Sequence, residues 1–116
     1  MSLDFYLEMK LDTGALEPHR VELYSANITH NLNKMAMKAG ICSCLWRPHD
    51  LWDNPTADKV IPIMEEGLEK LKSDPEHYKQ FIASNGWGTY EDFVPFVEEV
   101  LNACKKHPKS TVKTWT

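Results

Sequence analysis

Thr29, His30 and Asn31, followed one turn later by Lys34, place a hydroxyl, an imidazole and an amide at the start of a helix-forming stretch. Backbone N–H groups are free at such a start and the helix dipole is positive there, so an anion fits. Arg47, in the loop that follows, can add a guanidinium that forks onto phosphate or carboxylate. Trp87 and Tyr90 offer rings for a stacking wall, and Trp46 precedes the arginine. Thr29, His30, Asn31, Trp46, Arg47, Trp87 and Tyr90 are therefore the candidate ligand-binding residues. A nucleotide-like or acidic small molecule suits them, although no glycine-rich phosphate loop accompanies them. The competing account is architectural: His30 and Asn31 bond to nearby backbone, and Trp46 and Trp52 lock their loop onto the core.

Other chemistries are less well supplied. His30, Cys42, Cys44 and His49 are metal-ligand types over a short span, but C-x-C is poor geometry for one tetrahedral ion. No metal and no cofactor are expected. Neither Cys42 nor Cys44 sits in a protease or transferase signature. Glu65/Glu66 and Glu98/Glu99 are neighbours on helices and diverge by about 100°, which suits solvation better than paired catalysis. A small enzyme using His30 as acid-base is the alternative to a binding protein.

Several elements must position these groups. Leu3, Phe5, Leu7, Met9 and Leu11 alternate with polar residues, the period of a half-buried strand. Asp12-Thr13-Gly14 supplies a turn, and Val21, Leu23 and Ser25 continue the alternation in a second, antiparallel strand. Glu8 and Lys10 are expected opposite Arg20 and Glu22. Ile28, Leu32, Met35, Ala36 and Ala39 form a helical stripe, with Asn27 or Thr29 as N-cap and Gly40 at the left-handed end. Residues 41–55 read as an irregular connection. Thr56 and Thr89 each precede a helix with a proline after its first turn, Pro62 and Pro95. These helices share a pattern over Thr56–Leu68 and Thr89–Leu101, too few copies for a repeat array. A short helix from Glu76 to about Ala83 lies between them, and alternation at 111–116 marks a third strand.

The chain has 116 residues, a size for one domain over 1–116. A net charge of −4 argues against non-specific nucleic-acid binding. Lys105, Lys106, Lys109 and Lys113 form a local basic patch that helix-dipole complementation explains. No apolar run reaches the roughly 20 residues of a membrane span. With no export signal, a cytoplasmic location and three reduced cysteines are expected.

N-I-T-H-N-L-N-K-M-A at 27–36, A-G-I…L-W-R-P at 39–48, I-P-I-M-E-E-G-L-E-K-L-K-S-D-P-E at 61–76 and N-G-W-G-T-Y-E-D-F-V at 85–94 carry a resemblance. Across nearly its whole length the chain resembles a family of small uncharacterised proteins carried mainly by bacteriophages and prophages. The resemblance implies a phage-associated intracellular protein and transfers no activity. The combined expectation is an α+β domain: a β-hairpin and a C-terminal strand in a small antiparallel sheet, with three or four helices on one face. Its function is expected to be non-enzymatic binding of a small anionic ligand or a protein partner at the first-helix N-terminus. A structural homodimer pairing exposed strand edges is the third reading.

Overall fold

A computed structural model of the chain describes residues 2–11, 14, 19–81 and 88–116. Alternation delivers the expected strands: β1 (Ser2–Leu11), β2 (His19–Thr29) and β3 (Thr111–Trp115). They form one antiparallel sheet in the order β2-β1-β3. Leu3, Phe5 and Leu7 of the central strand are fully buried, as is Val112 of β3. Asp4, Tyr6 and Glu8 alternate with them and face away from the helices. The architecture is α+β.

The pairing of β1 with β2 departs from expectation in register. Leu7 lies opposite Tyr24 but Glu8 opposite Glu22, so Leu23 is an extra residue in a β-bulge. Glu8 therefore faces Glu22, and Lys10 faces Arg20. The expected opposite-charge rungs are like-charge rungs instead. Glu8 finds its cation on the other side, where the Lys113 ammonium lies 3.7 Å away.

β2 also runs further than the sequence indicated. Asn27 is a strand residue, not an N-cap, and its side-chain amide donates to Ser2 Oγ (3.1 Å) and Asp4 Oδ1 (2.6 Å). A 3-10 turn, His30–Leu32, leads into α1 (Asn33–Ala39), which has no side-chain cap. Gly40 closes α1 with φ of 81°, the left-handed conformation that its missing Cβ permits. The 41–55 connection is not irregular. It contains α2 (Cys42–Trp46) and α3 (Pro48–Leu51), with Pro48 at a helical start where its missing N–H costs nothing.

The two long helices, α4 (Ala57–Ser73) and α6 (Tyr90–Lys106), pack against each other and contain Pro62 and Pro95. Their caps differ despite the shared pattern. Thr89 Oγ1 accepts from the Asp92 N–H at 3.1 Å, a true N-cap. The Thr56 hydroxyl instead donates to Asp58, and the first N–H groups of α4 donate to the Ser110 and Pro108 carbonyls. α4 is thus capped by the segment that leads into β3. The short α5 (Pro75–Lys79) sits between them, capped by Asp74; it ends sooner than the expected Ala83, since residues 80 and 81 form a turn, and residues 82 and 83 lie outside the described residues.

One contact fixes how α4 meets the α1–α2 link. A Cβ added to Gly67 would stand 2.2 Å from Ile41 Cγ2 and 3.2 Å from the Ala39 carbonyl oxygen. Ile41 is fully buried and cannot move outwards. Gly67→Ala gains about 1 kcal/mol of helix propensity but overpacks this contact at a cost of about 1–3 kcal/mol. Chemical denaturation is expected to show a net loss of stability. A more stable variant would contradict this packing.

Candidate functional site

The residues singled out from the sequence divide between two places. Thr29 ends β2, half-buried, and its hydroxyl accepts from the Asn31 N–H at 3.4 Å, a long bond that steadies the 3-10 turn. His30 opens that turn. Tyr90 begins α6, where its hydroxyl donates to the Leu71 carbonyl at 2.7 Å and its ring lies 5.6 Å beneath the Lys79 ammonium. Gly88, two residues before Tyr90 and with a φ of +87°, packs against Thr29. A Cβ there would come within 2.5 Å of Thr29 Cγ2, so only glycine lets these segments approach so closely.

Arg47 and Trp46 lie at the α2–α3 corner, which reaches the start of α1 through the Asn33–Cys42 hydrogen bond. Trp46 is 5% exposed and belongs to the core, as the architectural reading of this loop supposes. Arg47 is exposed between α2 and α3, close enough to Cys42 for its charge to act on that thiol. No hydrogen bond or ion pair among the described residues links Arg47 with Thr29, Asn31 or Tyr90. Trp87 lies outside the described residues. The anion seat imagined at Asn27 is lost as well, because strand replaces helix there and α1 spans only 7 residues.

The cysteines are free and buried. Burial pushes the Cys42 thiol up, although the Asn33 amide donates to its sulfur at 3.1 Å and Arg47 pulls the other way. Burial, with Cys104 nearby, pushes Cys44 up to about 12, and burial does the same to Cys104. Protonated thiols are poor nucleophiles and poor metal ligands. Among the described residues no three His, Cys, Asp or Glu side chains converge as a metal site. Nor is any helix among them long and apolar enough to cross a membrane.

Sequence periodicity did not reveal the more suggestive feature, a groove of about 420 Å³ beside the outer edge of β2. One wall is residues 24–28; the other is Asp92, Pro95, Phe96 and Glu99 of α6. β2 pairs with β1 alone among the described residues, so its second edge is bare. Strand and helix run antiparallel here. Glu99 lies near Tyr24, where burial and then the Glu99 charge raise the phenol, and Thr29 meets Gly88 at the other end. The Tyr24 hydroxyl is buried without a hydrogen-bond partner among the described residues.

Charge distinguishes the groove wall of α6 from its flank. Glu91 and Glu98 pair with Lys79 (3.4 Å) and Lys72 (2.6 Å). Asp92 and Glu99, the next residue in each case, have no ion-pair partner among the described residues. Pro95 brings no N–H, leaving the Glu91 carbonyl without its usual helical donor. The signal for this wall was present in the sequence as the adjacent acids 91/92 and 98/99. Only the helix docking shows which member of each pair is spoken for.

No family model, no curated protein and no solved structure matches the chain.

The thiols give a pH signature. Cys44 and Cys104 titrate near 12 when folded against an ordinary value of 9.0, so the folded chain keeps protons that the unfolded chain releases. Their contribution to stability is complete below about pH 9 and drains away as pH rises towards 12. Urea unfolding at a series of pH values from about 8 to 10.5 is expected to show a decline above about 9 that is shallower in Cys44→Ala. Equal slopes in the two proteins would contradict the assignment.

Proposed function

We propose that this is a non-enzymatic binding protein that takes an extended segment of a protein partner along the bare edge of β2. The observation that carries the reading is the unbroken run 24–28 on one wall of the groove. Alternate side chains of a strand face opposite ways, and here residues of both faces border a hollow whose far wall is α6 rather than β1, which places it beside the strand's outer edge. Unpaired N–H and C=O groups at such an edge are a template for an added strand. Ala26, Ile28, Pro95 and Phe96 give that strand an apolar bed.

The occupant is a basic segment. Asp92 and Glu99 await cations, and the partner supplies them from side chains that lean towards α6. A second copy of this chain is a poorer occupant, since it brings the same acidic wall to the contact and like charges oppose association. The bulge at Leu23 also interrupts the regular edge that two copies of β2 would need. The likeness of the sequence motifs to phage and prophage proteins supports an accessory role in which host or phage protein is the partner.

Catalysis draws less support, because the three thiols are held protonated by burial. The small anionic ligand expected at the first helix has no adequate seat there, since α1 is short and uncapped.

Fluorescence anisotropy with two labelled eight-residue peptides, one alternating Lys and Val and one alternating Glu and Val, tests the proposal. Saturable binding is expected for the basic peptide alone, weakened about tenfold or more when Asp92→Lys and Glu99→Lys are combined. Circular dichroism of the exposed-site double variant checks that its fold is intact. Absence of binding by either peptide would overturn the groove as a docking site. Unchanged affinity in the double variant would overturn the basic partner.

A further inference from the structure

A second hollow, of about 200 Å³, lies where β3 begins and β1 continues without it. Its lining includes Lys10, Arg20, His49, Thr111, Lys113 and Glu8, with Val112 beneath them. We propose that this notch binds a phosphate monoester with a compact apolar body. The site is separate from the β2–α6 groove and shares no lining residue with it.

The bulge at Leu23 is the origin of the site. By shifting the register it sets Lys10 directly opposite Arg20, and like charges in that position destabilise a sheet. Neither side chain has an ion-pair partner among the described residues to offset this. The nearest opposite charges on the same face are Glu8 and Glu22 of the next rung, and a like-charge rung is the kind of local conflict that functional sites carry. Glu8 is already engaged by Lys113 at 3.7 Å, so it does not neutralise the rung. Three cations against one carboxylate leave the lining at 3 − 1 = +2, in a chain whose net charge is −4.

A charge of +2 selects among anions. A phosphate monoester carries about −1.5 to −2 near pH 7, a carboxylate only −1. Arg20 can grip two phosphate oxygens in a fork, Lys10 adds a point charge, and the Thr111 hydroxyl is a neutral donor at the rim. The body of the ligand meets the aliphatic stems of the basic side chains, which are apolar below their charged heads. The hollow is about half the volume of the β2–α6 groove, which favours a phosphate on a small ring over a larger body.

Phenyl phosphate is the probe, titrated into the labelled protein at constant ionic strength and followed through the backbone amide resonances in NMR. Saturable shifts are expected at Lys10, Arg20, His49 and Thr111, with inorganic phosphate binding more weakly because it lacks the apolar body. Arg20→Gln is expected to weaken phenyl phosphate about tenfold or more, the loss typical of a charge-assisted pair. Its melting temperature without ligand should equal or exceed that of the parent, because the substitution relieves the Lys10–Arg20 repulsion; the lost binding is then not lost folding. Shifts that never saturate, or an unchanged affinity in Arg20→Gln, would overturn the site. Equal affinity for inorganic and phenyl phosphate would overturn the apolar part of the assignment.

Discussion

Burial of the Leu3, Phe5 and Leu7 face of β1 beneath the helices is the constraint on which the structure depends. Each such side chain contributes about 1.5–3 kcal/mol on leaving water, and a bare hairpin has no other means of holding its apolar face. The helices meet this need from one side only. With β1 in the centre and partners on both flanks, the sheet has two outer edges: that of β3 takes a bridge from Thr56 and the Pro55 carbonyl, and that of β2 has no strand partner among the described residues. α6 lies along the second. Its stripe of Phe93, Val97, Val100, Leu101 and Cys104 reaches the core, while the neighbouring residues border the β2 edge. The groove is thus a consequence of covering a three-stranded sheet with helices that do not wrap around its side.

The layered plan was legible because it rests on periodicity. Alternation in 3–11 and 111–116, the helical stripes and Gly40 each follow from local rules that the packing respects. Register was not legible. A one-residue bulge reverses the alternation beyond it, so that Tyr24, Ala26 and Ile28 rather than Leu23 and Ser25 pack on the core, and exchanges opposite-charge rungs for like-charge ones; no local signal marks Leu23 as the extra residue. Asn27 misled for a related reason: asparagine suits both an N-cap and an edge-strand position where its amide can reach Ser2 and Asp4. The 41–55 stretch concealed α2 and α3 because prolines and tryptophans read as loop chemistry, although Pro48 serves equally well as a helix start.

The candidate site was legible only in part. Thr29 packs against Gly88, two residues before Tyr90, whose own side chain meets Leu71 and Lys79. Arg47 and Trp46 belong to the α2–α3 corner, one at the surface and one in the core. Sequence reasoning sought polar residues close together and so missed the groove, whose defining property is the absence of a neighbour. An unpaired backbone edge leaves no mark in side-chain spacing. The partition of the α6 acids is equally invisible, since Glu91 and Glu98 find lysines on α4 and α5 only after the helices dock.

The most direct measurement of the central claim is amide hydrogen exchange along β2 with and without a bound strand. In the free protein, the N–H groups of 24–28 should divide into slow ones bonded to β1 and fast ones facing the groove. On adding the basic alternating peptide the fast set should become slow, with little change at β3. Uniform protection of 24–28 in the free protein would mean that this edge is already occupied, and the account would fail.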